Sequence, residues 1–204
     1  MSELNPAKRH NRLPRTAFVT IGATASFRAL LQEVVSEAFL LVLKSQDFTN
    51  LIVQCGPELE YFNSIKPDHA YESYGLEIAA FSYAPDLKPY FMQAAHSEEI
   101  DNMRRSGVVI SHAGSGSIIE ALQFDGLLVA VPNPELMDNH QVEIAEEMAS
   151  QGYLIHGTLG SLKDAVKNVD DTVLRKWPPG PSPGSAYQAG GLWEAINELM
   201  PCSS

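Results

Sequence analysis

The sequence predicts an α/β protein in which a doubly wound, Rossmann-like parallel sheet is flanked by helices. Apolar runs without polar alternation, which are typical of buried parallel strands, alternate along the chain with segments of helical periodicity. Small residues follow two of these runs, in the stretches GATAS (22–26) and HAGSGS (112–117). The carboxyl ends of parallel strands meet at one edge of a sheet, so we expect both turns to line one ligand crevice.

The composition limits the possible partners and compartments. With 204 residues, of which 45% are apolar, the chain is long enough for one domain with a core of normal size. A net charge of -11 argues against non-specific binding to nucleic acid or to an anionic membrane. The two cysteines, Cys55 and Cys202, form no disulfide framework, which fits a reducing compartment. We find no secretory signal and no apolar run of about 20 residues, so no membrane span is expected.

The first elements of the predicted fold lie before residue 56. Residues 1–15 contain two prolines and no periodicity, which predicts a mobile arm. A strand at Ala17–Ile21 precedes a helix at Phe27–Leu43, whose apolar residues recur at helical spacing and for which Ser26 is the expected N-cap. The next buried strand is Asn50–Cys55.

The third strand is expected in the stretch that follows. A short helix and a polar loop occupy residues 58–74, and the strand itself is predicted at Leu76–Tyr83. Asp86–Ala95 is predicted to be helical, and the charged stretch His96–Ser106 is expected to continue or cap a helix.

A strand, a helix and a second strand form the central unit of the sequence. Val108–Ile110 and Leu127–Val131 are apolar strands, and Ile118–Phe124 is an apolar helix between them. The polar loop Pro132–Gln141 follows the second strand. This βαβ unit therefore collects its small and polar residues where its strands end.

Two further helices and a short strand are predicted after this unit. A helix at Asn139–Gln151 ends before Gly152, which is a natural C′ residue. Tyr153–Ile155 is a short strand, and Ser161–Val169 is a helix with Ser161 as its N-cap.

The composition changes towards the end of the chain. The Pro- and Gly-rich segment Trp177–Gly184 fits neither a helix nor a central strand, and an amphipathic helix is predicted at Gly191–Met200. The predicted organisation is a mobile arm (1–15), a Rossmann-like domain (16–172), a Pro- and Gly-rich loop (173–190) and a C-terminal amphipathic helix with a tail (191–204).

The turn Gly114–Ser117 is the first candidate site. Free N–H groups and the dipole of the following helix attract anions, and the hydroxyls of Ser115 and Ser117 suit a diphosphate. The alternative is a tight turn whose glycines only permit close packing. The sequence contains no dinucleotide-binding fingerprint, because Ile119 holds the third glycine position, and it contains no P-loop.

Two polar features after this turn are further candidates. Glu120 either binds ribose hydroxyls or only interacts with the helix N-terminus, and its spacing favours neither. The loop ends in four consecutive hydrogen-bonding side chains, which is more than one helix cap needs and suits a sugar. These four residues are Asp138, Asn139, His140 and Gln141.

These motifs resemble those of a known family. The stretches that carry the resemblance are ISHAGSGSIIEAL, VPNPELMDNHQ, QGYL, FVTIGATASFRALL and LIVQCG. They are similar to the soluble subunit of the two-part UDP-N-acetylglucosamine transferase of N-glycan precursor synthesis, and the resemblance covers about residues 17–156. The sequence departs from the family at Ala23, where a hydroxyl residue is usual, and at His96–Met103, which looks like an insertion.

The resemblance implies a fold and a reaction. The family is similar to the C-terminal, donor-binding half of GT-B glycosyltransferases. The chain would bind UDP-N-acetylglucosamine and, with a membrane-anchored subunit that binds the acceptor, transfer the sugar to dolichyl-diphospho-N-acetylglucosamine with inversion. It would be cytoplasmic and recruited to the cytosolic face of the endoplasmic reticulum. No cofactor is expected, and no metal ion either, because no Asp-x-Asp motif is present.

The resemblance also implies residue roles. The turn Gly114–Ser117 would cradle the diphosphate, Glu120 would bind the ribose, and Gln141 is the best candidate for the sugar. Backbone at Phe81–Tyr83 would hold the uracil. The full set of expected donor-binding residues is Gly22, Thr24, Tyr83, Gly114, Ser115, Gly116, Ser117, Glu120, Asn133, Asp138, Asn139, His140 and Gln141.

The catalytic base and the function as an enzyme are left open by the sequence. His112 either acts as the base or shapes its turn, and the second role is favoured; a base on the partner subunit is the alternative. A non-catalytic nucleotide-sugar binding or regulatory module is the competing function. An epimerase of GT-B type would need both halves in a chain of nearly twice this length.

Overall fold

The computed structural model describes most of the predicted domain. The described ranges are 12–124, 126–136 and 140–178, without the side chain of His140. The predicted C-terminal amphipathic helix lies outside them, as do residues 1–11 of the predicted arm and residues 179–190 of the predicted Pro- and Gly-rich loop.

The described residues form one sheet of six parallel strands in the order β3-β2-β1-β4-β5-β6. The strands are β1 (Thr16–Thr20), β2 (Asn50–Gln54), β3 (Glu77–Phe81), β4 (Val108–Ser111), β5 (Leu127–Ala130) and β6 (Ile155–His156). The chain starts at the centre, moves outward to β3, returns to β4 and moves outward again to β6. Strands β1 and β4 therefore flank the topological switch point, where open α/β sheets bind their ligands.

Helices cover both faces of the sheet, as the apolar strands predict. The helices are α1 (Arg28–Val34), α2 (Glu37–Ser45), α3 (Leu59–Ile65), α4 (Ala70–Tyr74), α5 (Lys88–Ala94), α6 (Ser115–Ala121), α7 (His140–Ser150) and α8 (Leu162–Val166). Successive residues of a strand point to opposite faces. Accordingly, Val108 and Ile110 pack in a core with α1, α2, α3 and α8, whereas Val109 packs in a second core with α5, α6 and α7.

The helix predicted at Phe27–Leu43 is wrong, because two helices occupy this stretch. α1 ends at Val34, and α2 begins at Glu37. The hydroxyl of Ser36 accepts a hydrogen bond from the Phe39 N–H at 3.3 Å and caps α2. A serine side chain that satisfies a free N–H group favours a new helix start over continuation of the old helix. Ser26 is not the N-cap of α1, because Phe27 occupies that position.

The prediction that His96–Ser106 continues or caps a helix is also wrong. Ser97 and Arg104 form an isolated antiparallel bridge, and a single 3-10 turn at Ile100–Asn102 lies between them. The Arg104 Nε also donates to the Ala95 carbonyl oxygen at 3.0 Å. These contacts make the stretch a closed loop at the amino-terminal edge of β4.

The structure describes both helix ends that were predicted after β5. Gly152 has a φ of +78°, and the N–H groups of Gly152 and Tyr153 donate to Ala149 and Met148, so the predicted C′ glycine of α7 is confirmed. Ser161 is the N-cap of α8, as predicted, although its side chain makes no capping hydrogen bond.

The start of α8 is instead held by a residue of α1. The Glu33 carboxylate accepts hydrogen bonds from the N–H groups of Gly160 and Leu162, both at 2.8 Å. An acidic side chain at this end also suits the helix dipole.

Arg15, which the sequence assigns to the arm, is fully buried beside β1. Its guanidinium group donates to the Asp170 carboxylate and to the carbonyl oxygens of Gln46 and Ser106. Burial lowers the pKa of Arg15, while the hydrogen bond to Asp170 raises it. This cluster ties together the edge of the sheet opposite the switch-point crevice.

Within the described ranges, no helix is both long and apolar enough to cross a membrane.

Candidate functional site

The turn after β1 is held by buried polar side chains. The Gly22 N–H donates to the Thr20 hydroxyl at 3.1 Å, and that hydroxyl donates to the Gln54 side-chain oxygen at 2.5 Å. Gly22 has a φ of +81°, which glycine adopts without strain. A Cβ atom here would also lie 3.0 Å from the imidazole of His112. The turn therefore requires glycine for two independent reasons.

The turn after β4 packs directly against the first turn. The His112 N–H donates to the Thr20 carbonyl oxygen at 3.0 Å, and Nδ1 of the ring lies 3.4 Å from the same oxygen. A Cβ atom on Gly114 would lie 2.4 Å from Nε2 of the same ring. The half-buried imidazole therefore lies close to both glycine turns at the switch point.

The environment of His112 determines its charge and tautomer. Burial lowers the pKa of His112, and the Thr20 carbonyl opposes this effect more weakly. The ring is therefore neutral near pH 7. Because a carbonyl oxygen only accepts hydrogen bonds, this contact favours the tautomer in which Nδ1 carries the proton and Nε2 carries a lone pair.

Helix α6 begins three residues earlier than predicted. The sequence places its start at Ile118, but the helix begins at Ser115 with Gly114 as its N-cap. The residues predicted to be a loop before the helix, Ser115, Gly116 and Ser117, therefore form its first turn. N–H groups in a first turn have no partner within the helix, so they are free to face an anion.

Glu120 lies on the exposed part of α6. It follows Gly116 by four residues, so the two positions share one face of the helix. Nothing lies within 4 Å of a Cβ atom built on Gly116. The space over this face is open to a ligand.

Asn133 is committed to the protein rather than exposed in the crevice. Its side chain is buried, donates to the Ser26 carbonyl oxygen at 2.8 Å, and accepts from the Glu135 N–H at 3.1 Å. The Asn133 N–H in turn donates to the Gln141 side-chain oxygen at 3.3 Å. Asn133 therefore connects the loop after β5 to the loop after β1 and to the start of α7.

The remaining expected residues are spread over the carboxyl edge. Thr24 is exposed in the turn after β1. Tyr83 is 64% exposed beyond β3, an edge strand that is two positions from β1, or roughly 10 Å by strand spacing. The structure does not bring Tyr83 together with the Gly114 turn. Asp138, Asn139 and the side chain of His140 lie outside the described residues.

The sequence analysis did not identify a second polar cluster at this edge. The carboxylate of Glu58, which is largely buried, accepts from Arg28 Nε at 2.8 Å. Hydrogen bonds from Ser26 and Arg28 lower the pKa of Glu58. The Arg28 guanidinium lies over the Tyr61 ring at 4.5 Å. Residue spacing gives no signal for such a cluster, because Arg28 and Glu58 are 30 positions apart in the chain.

A metal site and a cavity elsewhere in the described residues were the other candidates for a functional site. No group of three or more His, Cys, Asp or Glu side chains in the described ranges is placed to hold a metal ion. A cavity of about 370 Å³ is lined by residues that include Ser106, Leu127 and Trp177. Ser106 precedes β4 and Leu127 begins β5, so this cavity lies at the opposite edge of the sheet. We place the candidate site at the carboxyl edge, where the two turns and α6 converge.

Comparison with known proteins gives the family. The model of the glycosyltransferase family 28 C-terminal domain matches residues 16–176. The UDP-N-acetylglucosamine transferase subunit ALG13 of Candida albicans is 30% identical over 195 residues, which cover 79% of this chain and 62% of that protein. The subunit of the same name from Cryptococcus neoformans is 32% identical over 200 residues, covering 92% of this chain and 97% of that protein.

Solved structures agree on the fold. The NMR structure of ALG13 matches with a TM-score of 0.56 at 23% identity, covering 82% of this chain and 90% of that chain. The crystal structure of Acinetobacter baumannii MurG matches with a TM-score of 0.54 at 18% identity, covering 81% of this chain and 43% of that chain. The fold is therefore that of the C-terminal half of a GT-B glycosyltransferase, as expected. The chain belongs to the glycosyltransferase family 28 C-terminal domain family and, within it, to the UDP-N-acetylglucosamine transferase subunits named ALG13.

Proposed function

We propose that this chain binds UDP-N-acetylglucosamine at the switch point and is the donor-binding subunit of an inverting transferase. The reaction adds the second N-acetylglucosamine to dolichyl-diphospho-N-acetylglucosamine. The observation that carries the proposal is the convergence of the Gly22 turn, His112 and the start of α6 between β1 and β4. The names of the relatives support the choice of nucleotide sugar.

The first turn of α6 is the proposed diphosphate site. Departure of UDP leaves negative charge on its phosphate oxygens, and fixed donors stabilise such charge as it develops. The free N–H groups of Ser115, Gly116 and Ser117, together with the two serine hydroxyls, supply those donors without reorganisation. The proposal requires no metal ion for this step.

The other parts of the donor are assigned around this site. Glu120 accepts hydrogen bonds from the ribose hydroxyls, because it shares the open helix face with Gly116. Backbone at residues 81–83 holds the uracil, and the DNHQ stretch (138–141) contacts the sugar or the phosphates. Asn133 supports this loop through its bonds to Ser26 and Gln141 rather than contacting the donor.

The base and the acceptor site are assigned to a partner. The His112 ring lies close to the turns of Gly22 and Gly114 and its Nδ1 faces the Thr20 carbonyl oxygen, so we assign it to shaping the crevice rather than to proton transfer. A membrane-anchored subunit would supply the acceptor site, the base and attachment to the cytosolic face of the endoplasmic reticulum. The family's resemblance to half of a GT-B enzyme supports this division.

Reconstitution tests the proposal. The full chain, alone and together with its membrane subunit, is incubated with labelled UDP-N-acetylglucosamine and dolichyl-diphospho-N-acetylglucosamine. We expect a β-linked disaccharide product only when both chains are present. Turnover by the isolated chain would overturn the split enzyme. UDP-N-acetylglucosamine binding without turnover by the assembled complex would favour the non-catalytic module.

A further inference from the structure

A row of polar side chains crosses the sheet beneath the candidate site. Gln54, Thr20 and Ser111 are in register on three adjacent strands, at the last paired row of β2, β1 and β4. All three are buried. Burial of a polar group that is not hydrogen-bonded lowers the stability of the folded state. A buried polar row on the central strands, at their carboxyl ends, therefore calls for a reason.

Thr20 is the centre of this row. Its hydroxyl donates to Gln54 and accepts from the Gly22 N–H, so both the direction and the geometry of the chain of hydrogen bonds are fixed. Its carbonyl oxygen accepts from the His112 N–H and faces Nδ1 of the ring. The Ser111 hydroxyl has no hydrogen-bond partner among the described residues, so the network ends at Thr20. One residue therefore holds both turns of the crevice.

The position of the Gly22 turn also depends on its close neighbours. Gly22 has the freest backbone of any residue type, and its φ of +81° is only one of the conformations open to it. A Cβ atom on Gly56 would lie 2.7 Å from the Gly22 carbonyl oxygen, and a Cβ atom on Gly22 would lie 3.0 Å from the His112 ring, so both neighbours lie close to Gly22. A shift of Gly22 would therefore displace the neighbouring turn or the imidazole.

We propose that Thr20 and Gln54 are positioning residues for the donor diphosphate. The pair holds the Gly22 turn against His112 and so fixes the wall of the crevice beside the first turn of α6. Because this wall is already ordered in the free chain, binding of the donor does not have to supply the free energy of ordering it. The inference rests on the proposed function, because it concerns the same diphosphate site.

The test compares two ligands that differ in the diphosphate. The full chain is titrated with UDP by calorimetry and with uridine by ligand-observed NMR. Thr20→Val keeps the shape but removes the hydroxyl, and we expect UDP affinity to fall about tenfold, the equivalent of one hydrogen bond. Uridine affinity should change less than twofold, and Thr20→Ser should restore UDP binding to within about threefold, because its hydroxyl keeps the bond to Gly22.

Two further variants complete the design. Thr16→Val makes the same chemical change at the other end of β1, where Thr16 is also buried, and should leave both affinities unchanged. Gln54→Leu removes only the acceptor of the Thr20 proton, so we expect a smaller loss of UDP affinity of about threefold.

The outcomes separate this proposal from the proposed function. If the wild-type chain does not bind UDP, the proposed function fails, and this assignment fails with it. If the wild type binds UDP but Thr20→Val binds it equally well, or loses uridine affinity to the same extent, the pair is only structural. Should Thr20→Val not fold, Gln54→Leu decides by the same criterion. Failure of both variants to fold would also overturn the positioning role.

Discussion

The contact between Gly114 and His112 yields a sharp prediction about stability. The substitution Gly114→Ala adds one methyl group at the N-cap of α6. The φ of Gly114 is -65°, which is ordinary for alanine, so the backbone itself contributes no strain. Alanine is less favourable than glycine at an N-cap, so a double-mutant cycle is needed to isolate the contribution of the new contact with the imidazole.

The magnitude follows from the room available to the ring. The added Cβ would lie 2.4 Å from Nε2 and 2.9 Å from Cε1 of His112. The ring must shift to relieve this contact, and a shift would weaken the contact between Nδ1 and the Thr20 carbonyl oxygen, which are 3.4 Å apart. Overpacking of this kind lowers the free energy of unfolding by about 1–3 kcal/mol. For a chain of this length, each 1 kcal/mol lowers Tm by roughly 2–4 °C.

Urea unfolding followed by circular dichroism measures the effect. Gly116→Ala is the matched control, because its Cβ meets nothing within 4 Å and alanine favours a helix over glycine by about 1 kcal/mol. In a double-mutant cycle, His112→Ala should remove most of the penalty of Gly114→Ala. The proposed packing would be refuted if Gly114→Ala were as stable as the wild type. It would also be refuted if Gly114→Ala lowered the free energy of unfolding equally in the His112→Ala background.

Four further predictions concern stability, the donor, pH and metal ions. Glu33→Ala removes the acceptor of two N–H groups at the start of α8, so urea unfolding should show a loss of about 1–2 kcal/mol; an unchanged midpoint would contradict the capping role. Glu120→Ala should weaken UDP-N-acetylglucosamine binding about tenfold in calorimetry with Tm unchanged, because Glu120 is exposed; equal affinity would remove the ribose assignment. Because burial lowers the pKa of His112, the imidazole takes up a proton at a higher pH in the unfolded chain than in the folded one, so the free energy of unfolding should fall as the pH drops below about 6.5. The fall should be smaller in His112→Gln, and an equal fall in this variant would contradict the role of His112. Transfer by the reconstituted complex should keep its rate in EDTA, and a loss that added Mg²⁺ restores would show a metal requirement.

The features that sequence predicted best are those that depend on local pattern. Strands of a parallel sheet appear in the sequence as apolar runs, and all six were located to within a few residues, although the edge strands β3 and β6 are only partly buried. Small residues at Gly22 and Gly114 mark the strand ends, and the parallel sheet places both turns at the switch point. The hydrogen bond from the His112 N–H to the Thr20 carbonyl oxygen confirms that these turns meet.

Helix boundaries were less accurate because competing local interactions decide them. The apolar spacing of residues 27–43 is helical throughout, yet the Ser36 hydroxyl satisfies a backbone N–H and starts a second helix. Conversely, the serine and glycine residues before Ile118 indicate a loop, yet they form the first turn of α6. The N–H groups of a first turn need no partner within the helix, so these residue types are tolerated there. Both errors arise where a helix begins.

Long-range polar contacts could not be predicted from one sequence. Asn133 was expected to contact the donor, but its amide binds the Ser26 carbonyl, 107 positions earlier in the chain. Glu33 caps a helix 129 positions later. Such pairs exist only once the sheet has brought their loops together, and neither partner carries a distinctive local pattern. A polar residue at the end of an apolar strand, as at Thr20 and Gln54, is a usable signal that the sequence analysis did not use.

Amide chemical shifts of the isotope-labelled full chain, recorded during titration with UDP-N-acetylglucosamine, test the location of the site most directly. The proposed site predicts the largest changes at Gly22 and at Ser115, Gly116 and Ser117, with Val173 in the wall of the opposite cavity unaffected. Changes concentrated around residues 169–177, with the two glycine turns unmoved, would place the donor at the opposite edge of the sheet and contradict the account.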